Sequence, residues 1–150
     1  MPFRGTFEHS LDAKHRLTIP AAFRKQLGTE LVLAPAPRVR RDDPLALSIW
    51  RPEAYDEFVR YSLAGLNPMS PEAVDLARVL SNDAHDTELD SANRVMIPSR
   101  LLRLAGIEKD VAVCGSGDRI EVWDRETHAR SLEQIRDRLP ETVARIVNTA

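Results

Sequence analysis

The chain has 150 residues, 43% hydrophobic and 29% charged, which suits one ordinary globular domain or two small ones. A net charge of −2 argues against a chain that is uniformly a polyanion binder, and one cysteine excludes an internal disulfide framework and fits a reducing cytoplasm. No apolar run approaches the roughly 18 residues that a membrane span needs, and the start, Met-Pro-Phe-Arg-Gly, lacks the apolar core of a secretory signal.

The charge is unevenly spread. Residues 1–41 hold 8 Lys/Arg against 3 Asp/Glu, residues 42–93 hold 3 against 11, and residues 94–150 hold 10 against 9. A basic face and an acidic face are the expectation, rather than a featureless surface.

In chain order, the first informative stretch is "LDAKHRLTIP" at 11–20. Its polar turn, Asp12 to His15, leads into a strand of β-favouring residues that ends at Pro20. "PAAFRKQLG" (20–28) has Pro at a helix start and Gly just past its end, so a helix of about two turns follows. "ELVLA" (30–34) and "LSIW" (47–50) read as strands, separated by the insertion "PAPRVRRDDP" (35–44). The "RVRRDD" within it suits a solvated loop with internal charge cancellation better than a basic arm. Pro52 opens the next helix. Ser70-Pro71 opens another, with Ala73, Leu76, Ala77 and Leu80 on one side.

"LDSANRVMIP" (89–98) then repeats the first turn and strand, and "PSRLLRLAG" (98–106) repeats the short helix. "DVAVC" (110–114) and "IEVW" (120–123) form a hairpin about Gly-Ser-Gly (115–117). Asp124 is an N-cap for a helix to about Leu139, and residues 140–150 form a last, frayed helix.

Setting Asp12 on Asp90 brings Arg16 onto Arg94, Ile19 onto Ile97, Pro20 onto Pro98 and Gly28 onto Gly106. Trp50 and Glu53 match Trp123 and Glu126 further on. The expected organisation is a first half at 1–66, a connecting helix at 67–83, a second half at 84–138 and a tail at 139–150. Two copies are too few for a solenoid, so the halves should pack as a pseudo-symmetric pair.

Asp12 and Asp90 suit the turns because a carboxylate can accept bonds from downstream N–H groups. Asn93 tolerates a left-handed backbone, and His15 holds the equivalent place with less ease. Arg16 and Arg94 open the following strands. They either pin the turn through an Asp–Arg bridge or meet a polyanion, and the two roles are compatible.

These residues resemble the MraZ family, whose hallmark is a repeated Asp-x-x-x-Arg. The similar stretches are "FRG" (3–5), "LDAKHRLTIP", "NPMSPEA" (67–73), "LDSANRVMIPSRLLRLAGIEKDV" (89–111) and "IEVWD" (120–124). His15 and Asn93 depart from the glycine usual before the Arg. The resemblance implies an α+β fold with a mainly β core: two AbrB/SpoVT-type swapped-hairpin barrel halves with peripheral helices. It also implies a DNA-binding transcriptional regulator, generally a repressor, of the division and cell-wall gene cluster that includes its own gene. Double-stranded DNA with repeated promoter sites and a ring of identical subunits, an octamer as the first guess, are the implied partners. The implied location is cytoplasmic and nucleoid-associated. Carried over, Arg16 and Arg94 face DNA, Lys14, His15 and Asn93 extend the loops, and Asp12 and Asp90 shape them. No cofactor or metal is implied.

Three other readings carry less. The paired aspartates match those of aspartic proteases only in number, because each lacks the expected Thr/Ser-Gly and an Arg would keep it ionised. His9, His15, His85, His128 and Cys114 lack zinc-ligand spacing, and Cys114 reads as a buried strand residue. An AbrB-type antitoxin, binding DNA and a protein partner, would need a disordered tail where this chain has a second folded half. Arg24, Lys25, Arg100 and Arg103 could touch phosphate or a neighbouring subunit. The helices at 52–63 and 124–139 are candidates for a subunit interface.

Overall fold

The computed structural model describes residues 2–149. Thirteen elements run along the chain, five helices and eight strands among the described residues. They are β1 (Thr6–Ser10), β2 (Arg16–Thr18), α1 (Ala21–Leu27), β3 (Glu30–Pro35), β4 (Leu47–Trp50), α2 (Pro52–Leu63) and α3 (Pro71–Asn82). Then follow β5 (His85–Glu88), β6 (Arg94–Met96), α4 (Ser99–Leu104), β7 (Asp110–Gly115), β8 (Ile120–Asp124) and α5 (Arg125–Thr149). The architecture is α+β with a mainly β core.

Six strands make one sheet in the order β1-β7-β8-β4-β3-β5, and β2 and β6 form a separate two-stranded ribbon. Every named pairing is antiparallel. The first strand of each half pairs with the third strand of the other, β1 with β7 and β5 with β3. The halves therefore exchange strands and share one sheet. A pseudo-two-fold axis passes the Leu17–Val95 pair of the ribbon and the Ser48–Glu121 pair of the sheet.

Alternation along the strands decides what each face buries. Leu31, Leu33, Ile49, Val111, Val113, Ile120 and Val122 point to a main core that also holds Leu17 and Val95 of the ribbon, Phe23 of α1 and Leu101 of α4. The opposite face of β3 and β4 packs Val32, Ala34 and Trp50 on Ala54 and Tyr55 of α2. Trp50 is fully buried, donates to Ser48 Oγ at 2.7 Å and lies under the Arg119 guanidinium. Trp123 is half-buried beside His128. Both tryptophans thus pack within the fold, as core and edge residues.

Helix boundaries follow local chemistry. Pro20 and Pro98 precede α1 and α4, and Gly28, with φ 77°, ends the first. Ser70 caps α3 by accepting from the Ala73 N–H at 3.2 Å. Asp124 caps α5 through the Thr127 N–H and hydroxyl. The last helix differs from the expectation of a break near Leu139. It is one helix of 25 residues with Pro140 inside. Pro140 removes the helical partner of the Arg136 carbonyl, but both residues are exposed, so water can satisfy that group. The insertion before β4 is exposed at residues 37–42, and Arg38 and Arg40 both bond to Asp43.

Candidate nucleic-acid interface

The two Asp-to-Arg turns have the same internal geometry. Asp12 Oδ1 accepts from the Lys14 and Arg16 N–H groups, each at 2.9 Å, and Oδ2 accepts from Arg16 Nε at 2.7 Å. Asp90 Oδ1 accepts from the Ala92 and Arg94 N–H groups, each at 2.9 Å, and Oδ2 from Arg94 Nε at 2.9 Å. The His15 and Asn93 N–H groups close each turn onto the aspartate carbonyl at 3.0 Å. Both residues adopt a left-handed backbone, φ 59° and 60°. Three donated bonds favour the ionised carboxylate. Led by the Arg16 and Arg94 backbone N–H groups, they hold both aspartates below the ordinary 3.8.

The ribbon locks the turns together. The Ile19 N–H donates to the Asn93 carbonyl and the Ile97 N–H to the His15 carbonyl, both at 3.0 Å. Each left-handed residue therefore extends the ladder of the other half. Leu17 and Val95 face inward with no exposure. By the two-residue period, Arg16, Thr18, Arg94 and Met96 share the outward face. Arg16 pairs with Met96 and Thr18 with Arg94, so Arg16 and Arg94 are diagonal neighbours. Such diagonals span roughly 7–8 Å between backbones.

Each arginine is held at one atom and open at two. Nε is engaged by the aspartate, while the terminal nitrogens of Arg16 and Arg94 have no partner among the described residues. A guanidinium so oriented can present its outer edge to a phosphate or a guanine edge. Of the sequence-derived loop residues, Lys14 and His15 are exposed and Asn93 is half-buried. His15 Nδ1 lies 3.5 Å from Ser99 Oγ at the start of α4. The first turn carries Lys14 where the second has Ala92, so the two arms differ in charge.

The neighbouring basic residues divide. Arg24 Nε donates to the Ile19 carbonyl at 2.8 Å, holding the end of β2, and Arg100 pairs with Asp83 at 3.0 Å. Lys25 and Arg103 are exposed. Sequence reasoning did not place Thr18 and Met96 on this surface. The signal was present, since residues two apart from each arginine on a strand must face the same way. His85 is exposed on the edge strand β5, and Cys114 is buried within 3.3 Å of His128 Nε2. Burial pushes the Cys114 thiol up to about 11, which suits an inert thiol.

Comparison with known proteins fits this doubled turn. The family model MraZ, described as an antitoxin-like MraZ protein, matches residues 2–78 and 80–149. The chain belongs to the MraZ family. A relative from Mesoplasma florum named Transcriptional regulator MraZ is 33% identical over 94% of this chain and 92% of its own length. Proteins of the same name from Nitrosomonas europaea (33% identical, 81% of this chain and 80% of theirs) and Nitrosospira multiformis (32%, 93% and 95%) are similar along most of their lengths. The two family matches meet near residue 79, so each MraZ repeat contributes one turn and one strand of the ribbon.

Proposed function

We propose that the chain is a DNA-binding transcriptional regulator, a repressor of the division and cell-wall gene cluster that includes its own gene. The observation that carries this reading is the outward ribbon face, where two arginines are oriented by aspartates yet keep their terminal nitrogens free. A two-stranded β ribbon fits the major groove of B-DNA, about 12 Å wide, and arginine is the commonest reader of guanine there. Lys14 and His15 extend the contact on one arm and Asn93 on the other. The relatives' name, Transcriptional regulator MraZ, supports the regulator part of this reading.

One subunit offers few cations to a duplex, and its net charge is −2. Binding to several direct repeats by a ring of subunits, an octamer as the first guess, supplies the missing affinity through avidity. The acidic segment 42–93 then faces away from DNA along most of its length. Such a protein works at the nucleoid.

The test is a gel shift with the DNA upstream of the gene, using the wild type, Arg16→Ala and Arg94→Ala. The expected result is a specific shift by the wild type that either substitution weakens at least tenfold. Equal binding by all three proteins overturns the assignment of the arginines. Absence of any sequence preference overturns the regulator reading.

A further inference from the structure

The outward face of the ribbon carries one large apolar side chain between its two arginines. Met96 is 58% exposed, although Val95 and Ile97 on either side of it are buried. Among the described residues it is the one exposed large apolar side chain on a strand; the others lie on helices or loops. A single exposed apolar residue is ordinary by itself, so its place decides what it can do.

The backbone fixes that place. The Ile97 N–H donates to the His15 carbonyl and the Ile19 N–H to the Asn93 carbonyl, each at 3.0 Å. In the register of the ribbon these are hydrogen-bonded positions, and the Leu17–Val95 pair between them is a third. Arg16–Met96 and Thr18–Arg94 fall at the intervening positions, where opposed side chains stand closest, with Cα atoms about 4.5 Å apart. Each arginine therefore has one cross-strand companion. The two-fold that sets Arg16 on Arg94 sets Thr18 on Met96, so the companions differ in chemistry: a hydroxyl beside Arg94 and a thioether beside Arg16.

The thioether narrows the target. It donates no hydrogen bond and accepts weakly, so it gains little from phosphates or polar base edges. The apolar group that the major groove displays is the thymine 5-methyl. Consecutive bases of a strand are about 3.4 Å apart along the axis, so a companion about 4.5 Å from Arg16 reaches the neighbouring base pair. Methionine is unbranched and flexible, and can settle on a methyl while the ribbon stays fixed.

We propose that Met96 is a specificity-determining residue that packs on the 5-methyl of a thymine, on the base pair next to the one that Arg16 meets. The inference rests on the DNA reading above and deepens it. Arg16 binds, and Met96 selects thymine over cytosine at the next position. The second arm lacks this reader, because its companion, Thr18, is shorter and half-buried.

Replacing thymine by deoxyuridine removes that methyl and nothing else. The probe is the duplex upstream of the gene, with deoxyuridine placed at one thymine position at a time in each bound repeat. Fluorescence anisotropy gives the affinities of the full-length wild type, Met96→Ala, Met96→Leu and Thr18→Ala, and a circular dichroism melt confirms that each variant folds. The wild type is expected to lose about fourfold per repeat at one thymine position, the effect of exposing one methyl-sized group. Met96→Ala should bind the thymine and uracil duplexes equally, Met96→Leu should restore the discrimination, and Thr18→Ala should keep it. If no thymine position matters to the wild type, or if Met96→Ala discriminates as the wild type does, Met96 is no reader, while the role of the arginines stands. A wild type that binds the unmodified duplex without sequence preference overturns both readings before any uracil is introduced.

Discussion

Asp12 and Asp90 each use both carboxylate oxygens inside their own turn, and each arginine side chain meets its aspartate through Nε alone. That division of labour predicts opposite phenotypes. Arg16→Ala and Arg94→Ala should leave the melting temperature within a few degrees of wild type, because a partly exposed ion pair contributes about 0–1 kcal/mol to folding. Their DNA affinity should fall and its salt dependence flatten, since fewer phosphates are neutralised. A titration across salt concentrations checks this, and a large melting loss with unchanged affinity would assign the arginines to the turn alone. The aspartates should act through stability. Their folded-state pKa lies below the 3.8 of the free group, so their contribution is present above pH about 3.8 and disappears as pH falls through the lower, folded value. The Asp12→Asn/Asp90→Asn variant should melt earlier than wild type at pH 7, and the gap should close at acid pH. Melting curves from pH 2 to 7 decide it; a gap that persists unchanged at pH 2 means the carboxylate charge is irrelevant to the turn.

The strands and turns set which side chains can act together. His15 occupies a left-handed position with φ 59° that a side chain of its kind adopts at a cost of roughly 1–2 kcal/mol. His15→Gly should therefore raise stability, by up to about 1 kcal/mol, while removing a basic group from the first arm. Asn93→Gly should gain less, because asparagine tolerates that conformation. Denaturant midpoints rank the two, and a reversed order would show that the Ser99 contact outweighs the backbone term. At the other end of the fold, Gly115 lets the N-terminal segment approach β7. The Gly115 N–H donates to the Gly5 carbonyl at 2.8 Å, and a Cβ at Gly115 would strike the backbone of Phe3 and Arg4. Gly115→Ala should cost about 1–3 kcal/mol by overpacking and free the buried Phe3. Chemical denaturation measures the loss, and a neutral result would mean that this segment can shift without cost.

For the whole molecule, the shared sheet makes the halves one cooperative unit, because β1 and β5 each complete the other half's sheet. Unfolding should be a single transition, and the isolated segment 84–149 should not fold by itself at low concentration. If regulation depends on several ribbons on one assembly, affinity for an operator with repeated sites should exceed that for one site by about 10²–10⁴. Inserting about half a helical turn of DNA between the sites should remove much of that gain. Fluorescence anisotropy on the paired probes tests it, and equal affinity for one repeat and several would sink the avidity mechanism.

The sequence alone determined the local features, since each depends on neighbours in the chain. Aspartate four residues before arginine specified the turn, proline and glycine bounded the short helices, and β-favouring runs specified six of the eight strands but not β1 or β5. The repeat itself announced two similar halves and a doubled arginine. What the tertiary structure decided was which elements meet. No pattern in 6–10 or 110–115 says that these strands pair, and a simple packing of two halves would bury a similar hydrophobic content. Pairing the strands across the halves brings Arg16 and Arg94 onto one face, where Thr18 and Met96 join them. The uninterrupted α5 was equally illegible, because Pro140 carries a local signal to stop that the exposed helix overrides. Local backbone preferences act over a few residues and are written in the chain. Strand exchange and shared faces arise from contacts about a hundred residues apart, whose energies depend on the assembled core.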